Sequence, residues 1–295
     1  ARYTAIDPSI DTNLTEEEGK LYKKWMMIFR VKIKETYGHC FDDKKIEKLA
    51  QENARYLVTV FASTKMIHTL PLIQLNRIVT YMKKYMEKEN KTEFDERINE
   101  SFKEFISCLE EVNVLDDKMQ SNFKARSLSL FADGPIEKEE FGYSYATNYK
   151  GSFAQLAQAH RHRTLEYGMS FLDEKEFFVP PILLSDPMLV DEWMNDITSV
   201  QNVTPQGELV SINELGTYSK FILKTKERLC SAAQQEIMAQ TRATLLKYKD
   251  ALEESEHPLV EDIKVHSLGA RCTFPDYNCA KSCGFKEGID LTRKI

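Results

Sequence analysis

The chain has 295 residues, of which 42% are hydrophobic and 29% charged, with a formal net charge of −6. That composition suits a globular protein with enough chain for one large domain or two ordinary ones, and it excludes low-complexity and collagen-like chains. No apolar run approaches the roughly 20 residues that span a bilayer, and the acidic balance argues against general nucleic-acid binding.

The opening residues, ARYTAIDPSIDTN, lack the basic and apolar regions of a secretory leader, so a cytoplasmic protein is expected. Thr15-Glu16-Glu17-Glu18 has the form of a capping box. Leu21, Trp25, Phe29 and Ile33 follow at helical spacing. A second helix is expected from Asp43 through KKIEKLAQENARYL, and VTVFAST reads as a short strand or a helix interruption. LPLIQLNRIVTYMKKYMEK and FDERINESFKEFISCLEEV supply two more helices.

Beyond NVLDDKMQSN, a natural boundary, the period changes to two. RSLSLFADG and FGYSYATNYKG read as a pair of strands, each closing on glycine. GSFAQLAQAHRHR should be helical, and EKEFFVPPILLS is held extended by its prolines. GELVSINELGT reads as strand and turn, followed by one long helix, KFILKTKERLCSAAQQEIMAQTRATLLKYKDAL. The fold class expected is therefore α+β, with helices packed on an antiparallel sheet. The order of parts in the first ~125 residues returns from Phe177 onward, which suggests an internal repeat.

Within QLAQAHRHRT, Arg161 and Arg163 flank His162 in a chain that otherwise scatters its cations among acids. Two arginines two apart cannot share a helix face, so the pair serves two directions or the helix ends there. Guanidinium forks suit phosphate and diphosphate; a solvated basic helix end answering the C-terminal dipole is the competing reading. Arg228 is either a fixed cation for developing negative charge or a member of the Lys224/Lys226/Glu227 face. His266, Cys272, Cys279 and Cys283 in the turn-rich tail could converge on a structural zinc. A disulfide and free thiols are the alternatives.

The Arg161-His162-Arg163 element and the contexts ERLCSAAQQEI and ENARYLVTVFASTKMIHTLPLIQLNRI resemble the flavin-dependent thymidylate synthases. The resemblance implies two related units. Residues 1–122 would be the C-terminal half of a first unit with a connecting helix, 123–256 a second unit, and 257–295 an added cysteine-containing tail. A further N-terminal portion is then expected upstream of Ala1. It also implies FAD held by Arg161, His162 and Arg163, with Arg228 polarising the pyrimidine of dUMP. Methylenetetrahydrofolate would give the one-carbon group, NADPH would reduce the flavin, and the subunits would form a homo-oligomer. Glu166, Phe171 and Asp173 stand where the family carries two serines and an arginine, and Pro71-Leu72-Ile73 stands for its Asn-x-Arg. These departures leave two further expectations open: a relative with another pyrimidine product, or a scaffold or regulatory subunit that kept the fold and lost the chemistry.

Overall fold

A computed structural model describes residues 13–64, 67–89, 91–121, 134–279, 283 and 287–295. The chain divides into two compact units, Ala1–Ser63 with Leu128–Ile295, and Thr64–Ser127. One edge of this division falls close to the boundary expected at 122/123; the other, at 63/64, was not expected and arises because residues before 64 pack with the second half of the chain.

In the larger unit α1 (Glu16–Tyr37) begins at the expected capping box. Thr15 Oγ1 accepts from the Glu18 amide at 3.2 Å, and Glu18 Oε2 accepts from the Thr15 amide at 2.8 Å. The other Glu18 oxygen accepts from the Thr59 amide at 2.8 Å, which ties the helix start to the segment after α2 (Asp43–Ala54). Trp25, Phe29 and Ile33 are fully buried. Trp193, from α7 (Pro187–Ser199), packs edge-on against Trp25 and Phe29 with ring centroids 4.8 and 5.6 Å apart. These residues are the heart of one apolar cluster.

The sheet is antiparallel, with order β1-β2-β4-β3, from β1 (Glu140–Phe141), β2 (Ser144–Ser152), β3 (Glu166–Phe171) and β4 (Leu209–Thr217). FGYSYATNYKG and GELVSINELGT thus form the expected strands, while RSLSLFADG lies outside the described residues apart from its final glycine. β4 is central, and every residue from Val210 to Glu214 is buried, so it has no solvated face and its polar side chains need internal partners. The second apolar cluster covers the sheet with Phe221, Leu245, Tyr248 and Leu252 from α8 (Tyr218–Arg228) and α9 (Gln235–Glu254). Among the described residues all four strands lie between Glu140 and Thr217; VTVFAST contributes only the isolated bridge Thr59–Pro205.

The long helix expected from Lys220 to Leu252 is two helices. Leu229 leaves the helical region with ψ at 63°. Its carbonyl accepts from the Arg271 amide at 2.7 Å, and the Ala233 carbonyl accepts from the buried Arg293 guanidinium. Tail residues supply the partners that let the helix stop, so no local signal announces the break.

The smaller unit holds α3 (Leu72–Met86), α4 (Glu93–Glu111) and the short α5 (Asp117–Ser121). Asn76, fully buried on α3, donates to the Val114 carbonyl at 3.1 Å and accepts from the Asp116 amide at 2.8 Å. α4 starts on a capping box of Thr92 and Asp95. Among the described residues no helix is long and apolar enough to cross a membrane.

Candidate functional site: an arginine- and glutamine-lined cavity

Where β2 ends, Ser152 caps α6 (Phe153–Ala159), its Oγ accepting from the Gln155 amide at 3.1 Å. The helix stops after seven residues, and Arg161-His162-Arg163 forms the turn that follows, with the His162 amide bonded to the Ala159 carbonyl at 2.9 Å. The expected conflict between neighbouring arginines is resolved by this stop. Arg161 and Arg163 are exposed and His162 is buried.

Arg161 lines a cavity of about 120 Å³ with Glu52, Arg55, Gln158, Gln206 and Gln234. Arg55 comes from the end of α2. Burial works against its charge, and Glu52 supports it. Gln206 is placed by a close backbone approach: its amide donates to the Val58 carbonyl and that of Gly207 to the Tyr56 carbonyl, both at 2.8 Å. A Cβ on Gly207 would stand 2.9 Å from Ile197 and 3.0 Å from Tyr56, so a larger residue would push this loop off the cavity. The Arg161 guanidinium makes no hydrogen bond or ion pair among the described residues.

Beside the cavity, Arg228 and His162 meet as a pair. Arg228 Nε donates to His162 Nε2 at 2.6 Å, and its Nη2 donates to the Gln158 carbonyl at 3.3 Å. His162 Nε2 is therefore the acceptor and Nδ1 carries the proton, facing Glu227 at 3.6 Å. Burial, then Arg228, then Lys224 push the imidazole down to about 3, so it is neutral at physiological pH.

Lys224, one turn before Arg228, is fully buried against Glu214 of β4 at 2.6 Å. Glu214 also accepts from the Tyr145 and Tyr149 hydroxyls at 2.7 Å each. Burial pulls the Lys224 pKa down and pushes both tyrosines up. A second buried carboxylate, Glu236 of α9, holds the base of the cavity. It accepts from the Ser152 amide at 2.8 Å, the Ser152 hydroxyl at 2.6 Å and the Tyr56 hydroxyl at 2.9 Å. Tyr56 accepts in turn from Gln234 Nε2 at 2.6 Å, and Gln234 Oε1 accepts from Gln158 Nε2.

The sequence-predicted residues are thus brought together in part. Arg161, His162 and Arg228 share one neighbourhood, but only Arg161 reaches the cavity, and Arg163 is not among its lining residues. The flavin grip implied for Arg161, His162 and Arg163 is not assembled in this cavity: His162 is turned inward onto Arg228, and Arg163 is not among the lining residues. The expected zinc set is not gathered among the described residues. Among the described residues no three His, Cys, Asp or Glu side chains gather closely enough to hold a metal. His266, on α10 (Val260–His266), is buried with Nδ1 2.8 Å from the Asp262 carbonyl and its ring against Phe274, while Cys272, Cys279 and Cys283 are exposed. The helix claims the imidazole, and the thiols sit on loops that face solvent.

Arg55, Gln206, Gln234 and Glu236 were not singled out from the sequence as site residues. Each is an ordinary polar residue on a helix end or loop, and only the packing of residues before 64 on α6 and α9 unites them. Neither a protein-family model nor a curated protein matches the sequence.

Proposed function

We propose that the cavity binds a pyrimidine nucleotide such as dUMP. The observation that carries this reading is the convergence of Arg55 and Arg161, more than a hundred residues apart in sequence, on a small cavity walled by three glutamine amides. Guanidinium forks complement a phosphate. Primary amides carry both donors and acceptors and complement the imide edge of a pyrimidine.

Methylation of the uracil ring, with methylenetetrahydrofolate, NADPH and FAD, is the activity that the resemblance to flavin-dependent thymidylate synthases implies. In that reading the chain is a fused pair of related units that forms a homo-oligomer; Arg228, to which the resemblance gives the pyrimidine, does not line the cavity. The chain's own residues neutralise the phosphate through Arg55 and Arg161 and present amides to the base. A second reading, a nucleotide-binding subunit without catalysis, is favoured by the engagement of Arg228 with His162 and the Gln158 carbonyl.

Calorimetric titration with dUMP tests the binding. Arg161→Ala should weaken it by one to two factors of ten, from a charge-assisted contact of about 1.5–3 kcal/mol. Arg161→Lys should restore only part of it, since a point charge cannot reproduce the fork. A folded protein that ignores millimolar dUMP would end this reading. A flavin fluorescence titration and light scattering separate the enzyme from the subunit: the enzyme reading requires FAD binding and self-association.

A further inference from the structure

The hydrogen bonds behind the cavity have a direction, and one residue sets it. Glu236 is a buried carboxylate held by donors alone, from Ser152 and Tyr56. Burial raises the Glu236 pKa and the donors from Ser152 and Tyr56 oppose that rise; in its ionised form the carboxylate only accepts, so the Tyr56 hydroxyl gives its proton to Glu236. Its lone pair is then left to accept from Gln234 Nε2. That turns Gln234 Oε1 toward Gln158, which must offer Nε2 to it. The last atom in the series, Gln158 Oε1, is buried without a hydrogen-bond partner on a residue that lines the cavity. Amide oxygen and nitrogen are ordinarily assigned by their surroundings, and here the carboxylate at the far end leaves one self-consistent assignment.

We infer that Glu236, acting through Tyr56 and Gln234, is a specificity-determining residue that fixes Gln158 Oε1 as an acceptor in the cavity, so that the site selects ligands offering an N–H at that position. The inference rests on the cavity being a pyrimidine-nucleotide site. A uracil ring offers N3–H; a cytosine ring presents an unprotonated N3 there. A site with a buried acceptor rejects a ligand that brings a second acceptor, because both are then left unsatisfied. Glu236→Gln removes the constraint at its source. The new amide can donate to Tyr56, which reverses the hydroxyl and both glutamines in turn and brings Gln158 Nε2 to the cavity.

The test compares dUMP with dCMP in calorimetric titrations. The wild-type chain should favour dUMP, and Glu236→Gln should shift the dUMP-to-dCMP affinity ratio toward dCMP by at least tenfold. Tyr56→Phe, which cuts the series without touching the carboxylate, should bring the ratio toward unity and serves if Glu236→Gln does not fold. An unchanged ratio in a folded variant that still binds nucleotide overturns the inference. A ligand-free readout separates it from the reading beneath it: NMR exchange of the Gln158 side-chain NH2 protons. They should exchange slowly in the wild type, where Gln234 holds them, and faster in Glu236→Gln, where they face the cavity. Equal exchange rates overturn the inference whatever binds. Absence of binding by either nucleotide, with the expected exchange difference, overturns only the pyrimidine-nucleotide reading.

Discussion

Glu214 and Glu236 lie in the same unit, each nearly or fully removed from solvent, and are kept in different company. Glu214 sits under the sheet with a full cation, Lys224, and two tyrosine hydroxyls. Glu236 sits under the cavity with hydroxyls and an amide, and burial pushes its pKa up. A buried charge costs free energy unless it is paired or thoroughly hydrogen-bonded. Pairing with a cation holds a core in one arrangement and offers nothing to a ligand, whereas holding by neutral donors passes the charge's influence along a series of amides to an open site.

The comparison breaks most visibly at Glu214. Glu214→Gln should cost about 3–5 kcal/mol, because it strands Lys224 as an uncompensated buried charge. Replacing both members with apolar residues should recover much of that loss, and the remainder should report the Tyr145 and Tyr149 hydroxyls left without an acceptor. Urea denaturation of the single and double variants gives the three values. Glu236→Gln strands no cation, and we expect a smaller loss of about 1–3 kcal/mol, from buried donors that lose their best acceptor. Equal losses at the two positions would remove the distinction drawn between them.

Neither arrangement could be read from the sequence, for a definite reason. The capping box at Thr15, the Trp25/Phe29/Ile33 stripe and the strand Leu209–Thr217 were legible because local spacing carries them. α6 was expected to run through Arg163, with a helix end as one of two ways to part the neighbouring cations; it stops at Ala159, before them. The break at Leu229 was not legible, since its stabilising partners, Arg271 and Arg293, arrive from the tail. The candidate site shares that character. Arg161, His162 and Arg228 carried a signal through charge and context, but Arg55, Gln206 and the Tyr56–Glu236 bond depend on where residues before 64 pack. His266, Cys272, Cys279 and Cys283 are likewise not gathered among the described residues, and spacing along a loop does not specify which way its thiols face.

A third test sharpens the comparison through pH. His162 is held neutral with its pKa pushed down to about 3 from 6.5. Below pH 6.5 the unfolded chain takes up a proton that the folded chain refuses. This contribution to stability is therefore complete above pH 6.5 and is lost as pH falls toward 3, at up to about 1.4 kcal/mol per pH unit. His162→Gln keeps an acceptor for Arg228 Nε and has nothing to titrate. The wild type should lose about 1 kcal/mol more than the variant between pH 6.5 and 5.5. Parallel pH profiles of the urea midpoint would show that the imidazole is not held neutral.

The smallest effect is expected of Asp196→Asn, at a carboxylate where both kinds of company meet. Its Oδ2 accepts from Lys24 Nζ at 2.5 Å and from the indole N–H of the fully buried Trp25 at 2.7 Å. Lys24 is about one-third exposed, so the ion pair is screened by water, and pairs of that kind contribute roughly 0–1 kcal/mol. Asp196→Asn removes the charge and keeps an oxygen for the indole, and should cost no more than about 0.5–1 kcal/mol. Asp196→Ala also removes the acceptor and leaves a buried N–H without a partner, adding about 1–3 kcal/mol. If the asparagine variant is as unstable as the alanine variant, the ion pair outweighs the indole bond. The neutral donor would then be the minor partner, even at a carboxylate near the surface.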